Sequence, residues 1–328
     1  MRHAFVIAAA VAALAGPGSA LAGTATLSGS LPRYLAAPGE ANHVTVTKNE
    51  AGLTITDTGA TVVADDGCVN VTANEAFCPA GRRPSLLMLL GDMDDFAHLD
   101  AWFATGFVNG EEGADTLISG SSGDYLVGGA GNDTLLGRGG HDYLQGGTGT
   151  DFVDGGTAED VADYSDRTEP VSVDLDGVAD DGEPGEADDL RGIEDIQGGA
   201  GDDLLIGDAN ANWLWGLGGA DVVRGLRGAD AVIGGSDALY GDAGADHVRG
   251  LDANDRLLGG WGADQLAGGS GSDFLRGGKG RDEMKGERGD DTIQARDGWQ
   301  DFVHGGNGTD RARIDWGLDS HFLIESFY

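Results

Sequence analysis

The sequence predicts an all-β solenoid of short stacked strands, led by a small N-terminal β module. Three observations predict it. A nine-residue form, Gly-Gly-x-Gly-x-Asp-x-(apolar)-x, appears as GGAGNDTLL at 128–136, GGTGTDFVD at 146–154 and GGAGDDLLI at 198–206. Its sixth-position aspartate keeps phase over most of the chain. The residue two places later is apolar in every copy. An internal repeat of this kind decides the fold before any single element is read.

The aspartates Asp115, Asp124, Asp133, Asp142, Asp151 and Asp160 stand nine apart. Asp203, Asn212, Asp221 and Asp230 resume the phase. A seven-residue step leads to Asp237, Asp246, Asp255, Asp264, Asp273, Asp282 and Asp291. A ten-residue step gives Asp301, and nine more gives Asp310. Apolar partners run from Leu117, Leu126 and Leu135 to Met284, Ile293, Val303 and Ala312. Disordered acidic sequence does not hold such a phase.

From the start of the chain, residues 1–22 carry a basic Arg2, an apolar run from Ala4 to Ala15, the breakers Gly16, Pro17 and Gly18, and the small-x-small site Ala20-Leu21-Ala22. That pattern reads as a secretory signal peptide with cleavage before Gly23. The apolar run is too short for a membrane span, which needs about 20 residues. A soluble, exported mature protein with no membrane span is therefore expected.

Residues 23–105 lack the period and hold short alternating segments, among them His43-Val44-Thr45-Val46-Thr47 and Leu53-Thr54-Ile55-Thr56. They read as strands of a β module that caps the repeat. Ser85 to Leu90 reads as a buried strand, and Gly91 to Phe96 as a degraded copy of the turn, binding an ion or simply solvated. Cys68 and Cys78 form an even count, which in an oxidising compartment reads as a disulfide. Free thiols or a metal pair are the alternatives, the latter a poor zinc site without a second pair or a nearby histidine.

Residues 106–163 form the first repeat block and 198–313 the second. Between them, 164–197 read as a spacer: two short strands around an acid-rich loop from Asp176 to Asp189. That loop reads as a flexible surface segment, with an extra cation site as the alternative. Residues 314–328 end in apolar side chains and read as a packed cap.

The chemistry follows from the repeat. Glycines at positions one, two and four admit positive φ and a tight loop with its carbonyls turned to one side. Positions seven to nine make a short strand with the eighth residue inward. Two repeats complete a coil, and stacked coils pair their strands about 4.8 Å apart. Each loop then lies beside the loop eighteen residues on, pairing Asp115 with Asp133, Asp133 with Asp151, Asp142 with Asp160, Asp264 with Asp282, and Asp273 with Asp291. Several oxygen ligands in flexible geometry suit calcium better than zinc, copper or magnesium. The candidate ligands are Asp115, Asp124, Asp133, Asp142, Asp151, Asp160, Asp203, Asp221, Asp230, Asp246, Asp264, Asp273, Asp282, Asp291 and Asp310. Several calcium ions are expected, fewer than the turns, because Ser122, Ala158, Asn210 and Ala253 replace the fourth-position glycine and Asn212 lowers the charge.

A formal net charge of −36 points the same way. A compact fold must neutralise most of it, and divalent cations do so most simply. The same charge repels nucleic acid and anionic membranes, so neither is expected as a partner.

The strings GGAGNDTLL, GGTGTDFVD, GGAGDDLLI and GGSGSDFLR resemble the nonapeptide of the repeats-in-toxin (RTX) family, the haemolysin-type calcium-binding repeat. The resemblance covers about residues 110–163 and 198–313. VSVDL with LRGIEDIQG is similar to the spacer between repeat blocks in that family, and ARDGWQDFVHGGNGTDRARID to a closing repeat. It implies a right-handed parallel β-roll, disordered without calcium and folded with it. Many family members leave by a C-terminal signal and carry a toxin, protease or lipase domain. This chain has an N-terminal signal pattern instead.

No catalytic constellation stands out. There is no His-Glu-x-x-His and no Gly-x-Ser-x-Gly, and several of the histidines sit at variable repeat positions. Calcium would hold the paired carboxylates ionised, which removes them as general acids. The expectation is a secreted calcium-binding structural or surface protein rather than an enzyme. The other readings are a calcium-dependent adhesin or ligand-binding module, and a hydrolase with an unrecognised site. A ligand face would show a ladder at position seven, and Thr116, Tyr125, Thr134, Tyr143 and Phe152 begin one that then decays. The protein or surface partner is not named by the sequence.

Overall fold

The computed structural model describes residues 23–28, 31–48, 51–64, 68–79, 85–99, 105–235 and 237–328. The expected signal peptide, 1–22, lies outside them. The described residues contain strands and no α-helix, and so no helix long and apolar enough to cross a membrane.

The strands make one sixteen-stranded sheet and two nine-stranded sheets. Repeat strands alternate between two faces, and each pairs in parallel with the strand of the next coil. Thr116, Leu117 and Ile118 lie opposite Thr134, Leu135 and Leu136, which lie opposite Phe152, Val153 and Asp154. On the other face Tyr125 and Leu126 lie opposite Tyr143 and Leu144. The register is the eighteen-residue one, and the chain is a parallel β-roll.

All nineteen eighth-position residues are buried, from Leu117 to Ala312, none more than 2% exposed. They form the core as a column filled from both faces. Strand alternation explains the pattern, since Thr116 and Ile118 sit half out while Leu117 points in. Each buried leucine contributes about 1.5–3 kcal/mol.

The roll begins before the first nonapeptide. Leu31–Leu35 pairs in parallel with Ser85–Leu89, which pairs with Thr105–Glu112. On the second face His43–Lys48 pairs with Phe96–Leu99, which pairs with Thr116–Ile118. Antiparallel strands Gly52–Asp57, Glu75–Pro79 and Val69–Thr72 then close that face. A Cys68–Cys78 disulfide ties this closing segment. Ser85–Leu89 is a strand with Leu86 and Met88 buried.

The spacer departs from expectation. Its two short strands are present, Ser172–Asp174 and Asp189–Arg191, but the acidic loop between them is pinned. Ser172 and Gly182 exchange backbone hydrogen bonds, as do Asp181 and Asp188. Arg167, 3% exposed, reaches Glu186 at 3.2 Å and Glu183 at 3.6 Å. A buried guanidinium needs such partners, and the loop's acids supply them.

Spatial order also reverses here. The later strand, Asp189–Arg191, pairs back onto Phe152–Asp154 and ends the first nine-stranded sheet. The earlier strand, Ser172–Asp174, pairs forward onto Leu204–Ile206 and begins the second. The opposite face runs on unbroken, with Val161 and Ala162 beside Asp195 and Ile196.

The tail adds a last coil: Ser320–Phe322 pairs with Phe302–Asn307, and Ser326–Phe327 with Arg311–Arg313. It packs Trp316, His321 and Phe327 ring against ring. The cap is incomplete, since Trp316, Phe322, Leu323 and Tyr328 remain exposed.

Candidate metal centre

Each turn sets its aspartate by backbone conformation. In GGAGNDTLL, Gly129 and Gly131 take φ of 115° and 148°, where a Cβ is strongly disfavoured. Gly128 serves differently. Its φ is not positive, but a Cβ there would stand 2.3 Å from the Gly146 carbonyl oxygen and 2.4 Å from Asp133 Oδ2. The first glycine therefore makes room for a carboxylate and a carbonyl, which corrects the expectation that all three glycines serve positive φ. Ala158 and Ala253, at the fourth position, still adopt φ of 97° and 85°. The turn survives there at a cost of about 1–2 kcal/mol.

The sixth-position residues form ladders along both edges. On one edge Asp115 N–H donates to Asp133 Oδ1 at 2.7 Å, and Asp133 N–H to Asp151 Oδ1 at 2.8 Å. On the other Asp124 donates to Asp142 at 2.7 Å, and Asp142 to Asp160 at 2.8 Å. In the second block one ladder runs Asp203, Asp221, Asp237, Asp255, Asp273, Asp291, Asp310. The other runs Asn212, Asp230, Asp246, Asp264, Asp282, Asp301, Asp319. All five eighteen-residue pairs expected from the sequence are joined this way.

These carboxylates are buried, and most have one oxygen left over. The Oδ2 atoms of Asp115, Asp133, Asp142, Asp151, Asp160, Asp221, Asp230, Asp246, Asp264, Asp273, Asp282, Asp291 and Asp310 have no hydrogen-bond partner, nor do those of Asp255 and Asp301. Water cannot reach them. An ionised carboxylate oxygen in that setting is costly unless a cation faces it. Burial accordingly pushes the carboxyls up: Asp133 to about 6, Asp151 and Asp264 to about 7, Asp142 to about 8. An oxygen-only donor set of this kind fits calcium.

Four positions fit less well, among them Asp237, whose Oδ2 accepts from Gly235 N–H. Asp124 Oδ2 accepts from Gly120 N–H at 3.3 Å, and Asp203 Oδ2 from Gly199 N–H at 2.7 Å. Both were sequence candidates, and both have the second oxygen occupied. Asn212 is a neutral amide whose Nδ2 donates to Glu194 O and Asp208 Oδ1.

The ladders also contain residues that the period missed. Asn42 N–H donates to Asp95 Oδ1 at 2.5 Å, and Asp95 N–H to Asp115 Oδ1 at 2.7 Å. Asp151 N–H reaches Asp188 Oδ1 at 2.9 Å, Asp160 N–H reaches Glu194 Oε2 at 3.0 Å, and Asp310 N–H reaches Glu325 Oε2 at 2.7 Å. The usable signal was the buried apolar residue two places on, Ala97, Leu190 and Ile196 after Asp95, Asp188 and Glu194.

A family model described as the RTX calcium-binding nonapeptide repeat (4 copies) matches residues 107–135, 127–162, 191–223, 233–266, 240–275, 267–298 and 276–312. Together these windows cover just over half of the chain. A comparison with curated proteins finds no match. The windows span both blocks that carry the ladders, and calcium is the ion such repeats bind. This chain belongs to the family of RTX calcium-binding nonapeptide repeat proteins.

Proposed function

We propose that this is an exported calcium-binding β-roll that completes its folding outside the cell and serves there as a structural, surface or interaction protein. The observation that carries the reading is the ladder of buried carboxylates whose Oδ2 atoms lack partners. The ligands would be Asp115, Asp133, Asp142, Asp151, Asp160, Asp221, Asp230, Asp246, Asp264, Asp273, Asp282, Asp291 and Asp310, joined by Asp255 and Asp301, with weaker roles for Asp124 and Asp203. Calcium supplies positive charge between neighbouring loops. The chain's own residues hold each carboxylate in place through the N–H of the preceding coil and exclude water through the eighth-position column.

Export is supported by the signal pattern of residues 1–22 and by the Cys68–Cys78 disulfide, which persists in oxidising surroundings. Affinity in the extracellular range, about 10⁻⁴–10⁻³ M, would make export itself the folding trigger. The test is far-UV circular dichroism of the whole mature chain before and after calcium is stripped. Loss of the β signal, restored by calcium, is expected. An unchanged spectrum overturns the reading.

A ligand-binding role is the second reading, favoured by one face. Phe107, Tyr125 and Tyr143 stack at 5.4 and 5.8 Å between ring centroids. Beyond Tyr143 lies a cleft of 310 Å³ lined by Val161, Gln197, Trp213 and Trp215 among others. A glycan array or small-molecule screen with Trp213→Ala as control tests it, and indifference of binding to that change would count against it.

A further inference from the structure

One turn brings a third carboxylate within reach of its two sixth-position aspartates. Residues 295–301 read Ala-Arg-Asp-Gly-Trp-Gln-Asp, at the ten-residue step. Asp297 stands four residues before Asp301, where GGAGNDTLL has Gly129. One carboxylate oxygen each from Asp282, Asp297 and Asp301 lie within 4.8 Å of one another. Asp208, Asp242 and Asp315 stand at the same place in other turns, but among the described residues none of them joins two sixth-position carboxylates this closely. The only other such triple among the described residues, Asp174, Asp176 and Asp180, is largely exposed.

The geometry around the triad leaves room for one kind of occupant. Asp282 and Asp301 are each 2% exposed, and each keeps a buried Oδ2 without a partner. Their Oδ1 atoms are already used, by Asp264 N–H at 3.0 Å and Asp282 N–H at 2.9 Å. Asp297 is held in place: its Oδ1 accepts from Trp299 N–H at 2.8 Å, and its Oδ2 from Gly280 N–H at 3.2 Å. Its own N–H donates to Asp315 Oδ2 at 3.0 Å. Among the described residues no arginine or lysine pairs with any of the three acids, and Arg296 turns instead to Asp315 at 3.7 Å. Three carboxylates around one point, two with oxygens that no proton donor reaches, call for a hard cation.

We propose that Asp282, Asp297 and Asp301 form the highest-affinity calcium site of the chain, filled before the two-carboxylate turns, so that the C-terminal coils order first. The proposal rests on the calcium-binding reading above and deepens it. Affinity of oxygen sites rises with the number of charged ligands that converge, and among the described residues this is the one triple with two buried members. Asp297 also braces the turn through Trp299 N–H, a role that an asparagine side-chain oxygen retains. Asp297→Asn therefore removes the charge and the Gly280 contact and spares the Trp299 brace.

The experiment titrates the calcium-stripped full chain with Tb³⁺, exciting tryptophan. Trp299, 58% exposed and two residues from Asp297, is the near sensitiser. The wild type should show a sensitised phase at the lowest ion concentration, displaced by calcium. Asp297→Asn should move that phase about tenfold higher and leave the later phases in place. Trp299→Phe should dim it without moving it. Asp242→Asn, which removes the same charge from the corresponding position of another turn on that edge, should leave it unchanged. An isotherm of Asp297→Asn that overlays the wild type, with calcium-induced dichroism intact, overturns the proposal. Absence of Tb³⁺ and calcium binding in every variant, wild type included, would instead overturn the calcium-binding reading itself.

Discussion

The backbone N–H of Asp115 donates to Asp133 Oδ1 at 2.7 Å, while Asp133 Oδ2 is buried with no partner. One carboxylate thus does two things. Its first oxygen fixes the spacing between coils, and its second is left for an ion.

Substitutions at Asp133 separate those two roles. Asp133→Asn keeps an acceptor for Asp115 N–H and removes the charge. Calcium stoichiometry by titration calorimetry should fall, with little change in the fold at saturating calcium. Asp133→Ala removes the acceptor as well and strands a buried N–H, costing about 1–3 kcal/mol more in urea unfolding. Equal stoichiometry in wild type and both variants would refute the eighteen-residue pairing.

The core column predicts a local defect. Leu135 is fully buried between Leu117 and Val153. Leu135→Ala should cost about 2–5 kcal/mol. Hydrogen exchange should speed up mainly in the strands that pair with it, since each coil touches only its neighbours. Uniform loss of protection along the roll would contradict that.

Dependence on pH should change sign with calcium. Burial raises Asp142 and Asp301 to about 8, and Asp151, Asp264 and Asp291 to about 7, from 3.8. Without calcium, the folded roll binds more protons than the unfolded chain between about pH 4 and pH 8. Residual calcium-free structure should therefore be greatest near about pH 4 and be lost as pH rises toward about 8. Calcium needs the charged form, so its apparent affinity should fall as pH drops over the same window. Dichroism melts of stripped protein and calcium titrations at both ends of the window test this, and equal slopes in the two series would disprove it.

The spacer offers a separate test. Arg167→Met removes the cation that Glu183 and Glu186 share. Stability should fall by about 2 kcal/mol, at the low end for a buried pair because both acids keep contact with water. Limited proteolysis should then cut within residues 176–189, where the wild type resists. Equal cleavage of both proteins would mean that Arg167 does not hold the loop.

Most of the roll was legible because its physics is local and periodic. Leu117 and Asp115 are read from spacing alone, and each does what its position requires. Gly91 to Phe96 was read as a degraded turn without singling out Asp95, and Asp188 and Glu194 were not placed in the ladders, because insertions put these three 20, 37 and 34 residues from their ladder partners. Period is measured along the chain, whereas the ladder is built in space. The first glycine was misjudged for a similar reason: the obstacle to a side chain at Gly128 includes an atom from the next coil, Gly146 O. The reversed strands of the spacer depend on Arg167 and Tyr164, whose hydroxyl reaches Asp188 Oδ2 at 3.0 Å, contacts without a periodic signature.

The ladder hydrogen bonds all point one way, from the N–H of one coil to the carboxylate of the next. Such a stack has unlike ends, as a polar filament does. A partly wound roll offers a free amide at its C-terminal tip and a bare carboxylate at its N-terminal tip. The two tips therefore offer an incoming coil different groups, which gives the roll a head and a tail.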